Sequence, residues 1–295
     1  MTAAMNAPPA DRDPQAAREA IEEAVALHRA GKLELAMQRY VAILERDPQN
    51  VDALYYVAVF AIQQQQAPEA VRVLQRALEL GPPQGRVHNL LGQAYLRLDQ
   101  PADALQSFEW AIECEPDFAD AHGNRANLLA DMGRLEEAVA GYDRALAIRP
   151  DNLEDLCNRA TALLQLRRFE EALAGYDRVI ALRPDYSDAH HHRADVLRRL
   201  GDLPEALAAY DRALAAEPKL APAHSNRALV LKELGRLDQA LAAADRALAL
   251  QPNLAEAHRN RASVLAAMNR SAEAQASFQR AVELNPKLAG EMPRH

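Results

Sequence analysis

Residues 119–152 read ADAHGNRANLLADMGRLEEAVAGYDRALAIRPDN, and this one stretch decides the fold. Its first half, Ala119–Met132, is built from helix formers, and Gly133 follows it. The second half, Glu136–Arg149, stops at Pro150. Glycine suits a helix C-terminus because it accepts positive φ. Proline ends the next helix because the residue before it is pushed out of the α region. The stretch is therefore an antiparallel pair of helices joined by a short turn.

Pro150 is one of eight prolines that stand 34 residues apart: Pro48, Pro82, Pro116, Pro150, Pro184, Pro218, Pro252 and Pro286. Gly31, Gly201 and Gly235 hold the turn position of Gly133 in other units, and Gln65, Asp99, Arg167 and Asn269 replace it in the rest. An unbroken period of this size means an all-α repeat solenoid in which each unit touches mainly its neighbours. The units run 17–50, 51–84, 85–118, 119–152, 153–186, 187–220, 221–254 and 255–288, with a head at 1–16 and a tail at 289–295. The head is rich in Ala, Pro and Asp, which predicts disorder.

Three positions carry the packing. The eighth residue of each unit is small (Ala24, Ala58, Gly92, Ala126, Ala160, Ala194, Ala228, Ala262). The twentieth is always alanine, from Ala36 to Ala274. The twenty-fourth is large (Tyr40, Leu74, Phe108, Tyr142, Tyr176, Tyr210, Phe278), with Ala244 the exception. With the turn near the sixteenth residue, the eighth and twenty-fourth stand at equal height on facing helices. A small residue then faces a large one. Ala244 leaves the seventh unit under-filled.

This small–alanine–large–proline pattern resembles the tetratricopeptide repeat family, over Ala17–Leu288. The resemblance implies a right-handed superhelix of eight helix-turn-helix repeats, with the first helix of each lining an inner groove. Two segments, Phe118-Ala-Asp-Ala-His-Gly-Asn-Arg-Ala126 and Ala24-Val-Ala-Leu-His-Arg-Ala-Gly-Lys32, look like the arrays of bacterial relatives of O-linked N-acetylglucosamine transferases. In that family the array selects protein substrates and a separate domain does the chemistry. No glycine-rich phosphate loop is present here. The relatives carry an asparagine ladder that holds peptide backbone. Asn124, Asn158, Asn226 and Asn260 match it, with His192 interrupting the series, while Glu22, Tyr56 and Leu90 fill the register in the first three units. A carboxamide both donates and accepts, so it suits peptide backbone. The same asparagines could instead be solvated or pair locally.

Arg125, Arg159, Arg193, Arg227 and Arg261 follow the ladder, and Asp143, Asp177, Asp211 and Asp245 stand at the twenty-fifth position. Equal height predicts an Arg–Asp pair inside each hairpin, Arg125 with Asp143. Histidines recur at the fourth position (His88, His122, His190, His224, His258), a repeat apart and too distant to share one ion, so their reading is structural. His190, His191 and His192 are consecutive and point about 100° apart around a helix, which argues against a metal site. No catalytic motif stands out. No cofactor, metal or enzymatic activity is expected.

The net charge of −8 opposes binding to nucleic acid or anionic membranes. No apolar run of membrane-spanning length occurs. Cys114 and Cys157 give no disulfide or zinc spacing, which fits a reducing cytoplasm. The arginine and alanine bias points to a bacterial gene. Gly81-Pro-Pro-Gln-Gly85 reads as a hinge or as loop variation, and Gln63–Gln66 predicts a poorly formed turn. After Leu288 the chain is too short for a capping helix, which predicts partial exposure of Phe278 and Val282 and favours self-association there. The leading reading is a non-enzymatic scaffold that binds an extended peptide or partner protein. The alternatives are a recognition subunit of a separately encoded glycosyltransferase-like enzyme and a self-assembling structural protein.

Overall fold

A computed structural model describes residues 14–290. They form sixteen α-helices and one 3₁₀ turn, with no strand among the described residues. The chain divides into two compact units with the boundary between Met132 and Gly133. The first holds α1 (Pro14–Arg29), α2 (Leu33–Arg46), α3 (Val51–Gln63), α4 (Ala67–Leu80), α5 (Gly85–Arg97), α6 (Pro101–Cys114) and α7 (Ala119–Asp131). The second holds α8 (Leu135–Ile148), α9 (Leu153–Gln165), α10 (Phe169–Leu182), α11 (Ser187–Leu200), α12 (Leu203–Ala216), α13 (Ala221–Glu233), α14 (Leu237–Leu250), α15 (Ala255–Ala267) and α16 (Ser271–Leu284), closed by the 3₁₀ turn Pro286–Gly290. Helix α1 begins three residues ahead of Ala17. The disorder expected of residues 1–16 is corrected at 14–16, which open α1, while residues 1–13 lie outside the described residues, as do residues 291–295.

Within each unit consecutive helices pack antiparallel, and the odd-numbered helices also touch one another: α1 with α3, α3 with α5 and α5 with α7, then α9 with α11, α11 with α13 and α13 with α15. No two even-numbered helices come that close among the described residues. Each unit therefore has an inner row made of first helices.

The small–large interlock is visible at Gly92. A Cβ placed there would meet the Phe108 ring at 2.6 Å, so the ring occupies the volume that any side chain at position 92 would need. Phe108, Leu74, Tyr40, Tyr176 and Tyr210 are fully buried, as are Ala58, Ala160, Ala194 and Ala228 on the facing register. Ala244 lacks a ring but is also fully buried, in a cluster with Leu231 and Val264 that Leu241 and Met268 flank.

The turns carry the backbone strain. Gly31, Gly133, Gly201 and Gly235 all have positive φ, and so do the residues that replace glycine there: Gln65 (59°), Asp99 (56°), Arg167 (61°) and Asn269 (61°). The turn is thus the same in all eight hairpins, Gln65 included, and only its cost differs. The Gly81–Gly85 segment joins two packed helices, α4 and α5. Gly85 sits in close approach, since a Cβ there would lie 3.0 Å from the Ala111 carbonyl oxygen and 3.1 Å from Glu115 Cβ. The unit boundary lies elsewhere, at Met132.

At the C-terminal end the expected partial exposure holds for Val282 and is corrected for Phe278. Phe278 is only 8% exposed, and the 3₁₀ turn folds Leu288 back against Ala255 and Ala281, with Val282 and Leu284 half-buried beside it. The 3₁₀ turn thus covers part of the stripe.

Because a side chain in the left-handed region costs about 1 kcal/mol relative to glycine, Arg167→Gly is expected to raise the thermal midpoint by a few degrees. Gly133→Ala is expected to lower it by a similar amount, as read by circular dichroism.

Candidate functional site

The residues beside the interlock face the neighbouring pair. Arg125 bonds Glu109 at 3.1 Å, Arg159 bonds Asp143 at 2.6 Å, Arg193 bonds Asp177 at 2.6 Å, Arg227 bonds Asp211 at 2.7 Å, and Arg261 bonds Asp245 at 2.6 Å. Each arginine reaches back 16 residues to the second helix of the preceding pair. This corrects the expectation of pairs inside one hairpin, Arg125 with Asp143. The reason is angular. The seventh residue sits about 100° around the helix from the eighth, which faces its own hairpin partner, so it addresses the helix next door. The twenty-fifth sits likewise beside the twenty-fourth.

The fourth-position histidines are ties as well. The Nε2 atoms of His122, His190, His224 and His258 lie 2.8, 2.8, 3.1 and 2.9 Å from the carbonyls of Pro116, Pro184, Pro218 and Pro252. A carbonyl only accepts, so each ring donates there and holds the junction between one pair and the next. His88 instead packs against Trp110, with ring centroids 5.6 Å apart.

The expected ladder residues stand on the inner row. In the first unit Asn124 Nδ2 donates to Asn89 Oδ1 at 2.9 Å, tying α7 to α5. In the second unit Asn226 Nδ2 donates to Asp195 Oδ1 at 3.0 Å. Asn260 is 2% exposed and donates to Ser225 Oγ at 2.9 Å. Asn158 and His192 are half-buried. Two further bonds bridge first helices, Arg198 to Glu233 at 3.2 Å and Lys232 to Ser263 at 2.7 Å. The inner row is therefore a polar seam that joins neighbouring repeats while presenting charged and amide edges.

The seam is densest around Asp195. His191 is 7% exposed, and its ring lies 4.8 Å from that of His192 and 5.9 Å from that of Tyr210. His192 stacks on Tyr176 at 5.7 Å. Asp195 Oδ1 accepts from the Tyr210 hydroxyl and from Asn226. Burial pushes the Asp195 carboxyl up, yet His192, His191 and Tyr210 together hold it below the usual carboxylate range. Burial pulls His191 down. Burial and the Asp195 charge push Tyr210 well up. Burial also raises the Cys157 thiol to about 11, so it stays protonated at neutral pH and is a poor nucleophile.

Models of the tetratricopeptide repeat match residues 27–94, 89–152, 157–221 and 219–287. The chain belongs to the tetratricopeptide repeat family. Solved structures share its fold. The Cut9–Hcn1 hetero-tetramer of APC/C aligns with a TM-score of 0.64 at 18% identity, over 88% of this chain and 52% of that one, so the chain spans about half of that relative's length. The C-terminal part of a tetratricopeptide-repeat-containing protein from Cytophaga hutchinsonii aligns at 0.64 and 16% identity, over 81% and 98%. PilF of Pseudomonas aeruginosa aligns at 0.61 and 20% identity, over 70% and 94%. No match is found among curated protein sequences. The family assignment stops at the tetratricopeptide repeat. A kinship with glycosyltransferase arrays rests on sequence likeness alone. Proteins of this family generally mediate protein–protein interaction and are typically non-catalytic. No helix among the described residues is long and apolar enough to cross a membrane.

One feature of these tetratricopeptide repeats went unread in the sequence. In two repeats the twenty-fourth residue is a tyrosine that bonds the ninth residue of its own repeat: Tyr176 Oη lies 2.9 Å from Thr161 Oγ1, and Tyr210 bonds Asp195. In the first repeat the ninth residue is Val25, and the buried Tyr40 hydroxyl has no partner. Burial, with Tyr56 beside it, pushes Tyr40 up to about 12. The signal was a polar ninth residue opposite a tyrosine.

A double-mutant cycle on Arg159 and Asp143 is expected to show a coupling of about 0.5 kcal/mol, small because the aspartate is half exposed. The cycle on Arg159 and Asp177 is expected to show none. Urea denaturation of the six proteins measures both.

Proposed function

We propose that this chain is a non-enzymatic scaffold that takes an extended peptide, or an extended segment of a partner protein, along the inner row of first helices. The observation that carries the reading is a register of half-buried polar groups on α9, α11 and α13: Asn158, His192 and Asn226. Asn226 commits its N–H groups to Asp195 and His191, which leaves its carbonyl oxygen for an incoming N–H. Asn124 has the same disposition in the first unit, donating to Asn89. Asn260, 2% exposed, supports the row from beneath and touches no partner. Such contacts read peptide backbone and tolerate many side chains. Arg198, Lys232 and Glu233 place both signs of charge on the same face, so the row suits a segment of mixed charge.

A second reading keeps the same surface and assigns it to substrate recognition for a separately encoded glycosyltransferase. The likeness of residues 118–126 to such arrays favours it. Transferase activity that co-purifies with the chain would distinguish it.

The test is affinity capture from native lysate with wild type and with the Asn124/Asn158/Asn226→Ala triple variant, both shown to be folded by circular dichroism. Single substitutions are expected to do little because the contacts are many and weak. The triple variant is expected to lose at least about tenfold in recovery of partners that the wild type holds. Equal recovery by both proteins would remove the inner row from the account.

A further inference from the structure

His191, His192 and Asp195 lie on one helix, α11, and each offers a ligand atom within 4.8 Å of the others. Consecutive histidines diverge around a helix, but Asp195 stands one turn on from both. The aspartate stands four residues after His191 and three after His192, the two spacings that bring helical side chains together. Its Oδ2 lies 3.6 Å from His191 Nε2 and 3.9 Å from His192 Nδ1. The two rings diverge, but a carboxylate one turn on sits between them.

The surroundings hold this geometry. Asp195 Oδ1 accepts from the Tyr210 hydroxyl and from Asn226 Nδ2, so the carboxylate is fixed with Oδ2 toward the imidazoles. Such outer hydrogen bonds orient metal ligands in proteins. They also fix the His191 tautomer. Asn226 must turn its N–H, not its carbonyl, toward Asp195, because a carboxylate oxygen only accepts. The same Nδ2 stands 3.3 Å from His191 Nε2, which must then present a lone pair. A metal ion would take that lone pair in place of the Asn226 N–H. His192 stacks on Tyr176, which sets its ring plane. The neighbouring cation, Arg198, is balanced by Glu233 at 3.2 Å.

We propose that His191 Nε2, His192 Nδ1 and Asp195 Oδ2 bind a divalent transition-metal ion of the zinc class. Two imidazoles and one carboxylate are a zinc-type donor set, and ligands about 2.0–2.2 Å from a tetrahedral ion stand roughly 3.3 Å from one another. The ligand atoms stand within 4.8 Å of one another, so an ion would draw them together by up to about 1.5 Å. His192, 38% exposed, forms the open side through which an ion enters and where water completes the coordination.

The test is calorimetric titration of the untagged full-length chain with zinc chloride, alongside His192→Phe, Asp195→Asn and His258→Gln. Phenylalanine keeps a ring on Tyr176, asparagine keeps an acceptor for Tyr210, and glutamine keeps a donor for Pro252. Circular dichroism confirms the fold of each variant. The expected result is one ion per chain, weakened at least about tenfold in the first two variants and unchanged in the third. Independently of any variant, cobalt(II) on the wild type is expected to show the visible absorption of a four- or five-coordinate site. Absence of zinc binding, equal binding by all variants, or a six-coordinate cobalt spectrum would overturn the proposal.

Discussion

The structure depends on one steric fit that recurs along the chain: a large side chain on the second helix of a pair, such as Phe108, occupies the space left by a small residue on the first. Gly92 and Phe108 show its limit, because even one carbon at position 92 would stand 2.6 Å from the ring. The fit sets the height at which two helices face each other, and the left-handed turn residue returns the chain at that height. Burial of rings such as Phe108 and Tyr176 supplies the apolar stabilisation, roughly 1.5–3 kcal/mol for each large side chain. Alanine at the twentieth position lets the helices approach closely enough to collect it.

Once that contact is fixed, the rest of each helix surface is assigned by angle. Some residues adjacent to the interlock meet the preceding pair, while others, such as Thr161 and Asp195, meet their own partner helix. Arg159 finds Asp143, and His190 finds the Pro184 carbonyl. The sixth residue falls on the inner row, where Asn124, Asn226 and Asn260 reach the preceding first helix. These polar ties direct the stacking of pairs more than they add free energy, since most have one half-exposed member. The same inner row is where a partner segment would lie. Side chains that join repeats are thus also the side chains that would meet a ligand.

The period, the interlock and the turn were legible in the sequence because they need only spacing and size. Gln65, Asp99, Arg167 and Asn269 were placed at the glycine turn by register alone, and each has the positive φ that register implies. The Arg–Asp pairing was not legible, and the periodicity itself is the cause. In a repeating chain any two positions recur at two separations, one inside a hairpin and one across the junction, and Arg125 meets Glu109 rather than Asp143. Choosing between them needs the angle of the side chain around the helix. The cluster at Asp195 was missed for a related reason. Consecutive histidines diverge around a helix, and only the carboxylate one turn on brings two of them toward one point. The ninth-position partners of Tyr176 and Tyr210 were missed because Thr161 and Asp195 share no residue type, only polarity.

The interlock itself is tested most directly by a compensating double-mutant cycle at Gly92 and Phe108. Gly92→Ala alone should destabilise by about 1–3 kcal/mol through overpacking, and Phe108→Leu alone should destabilise by leaving space. The account predicts that the double variant, followed by urea denaturation, is more stable than the sum of the two effects by at least about 1 kcal/mol. Additive effects, within about 0.5 kcal/mol, would mean that the two residues do not share one space and would contradict the account at its foundation.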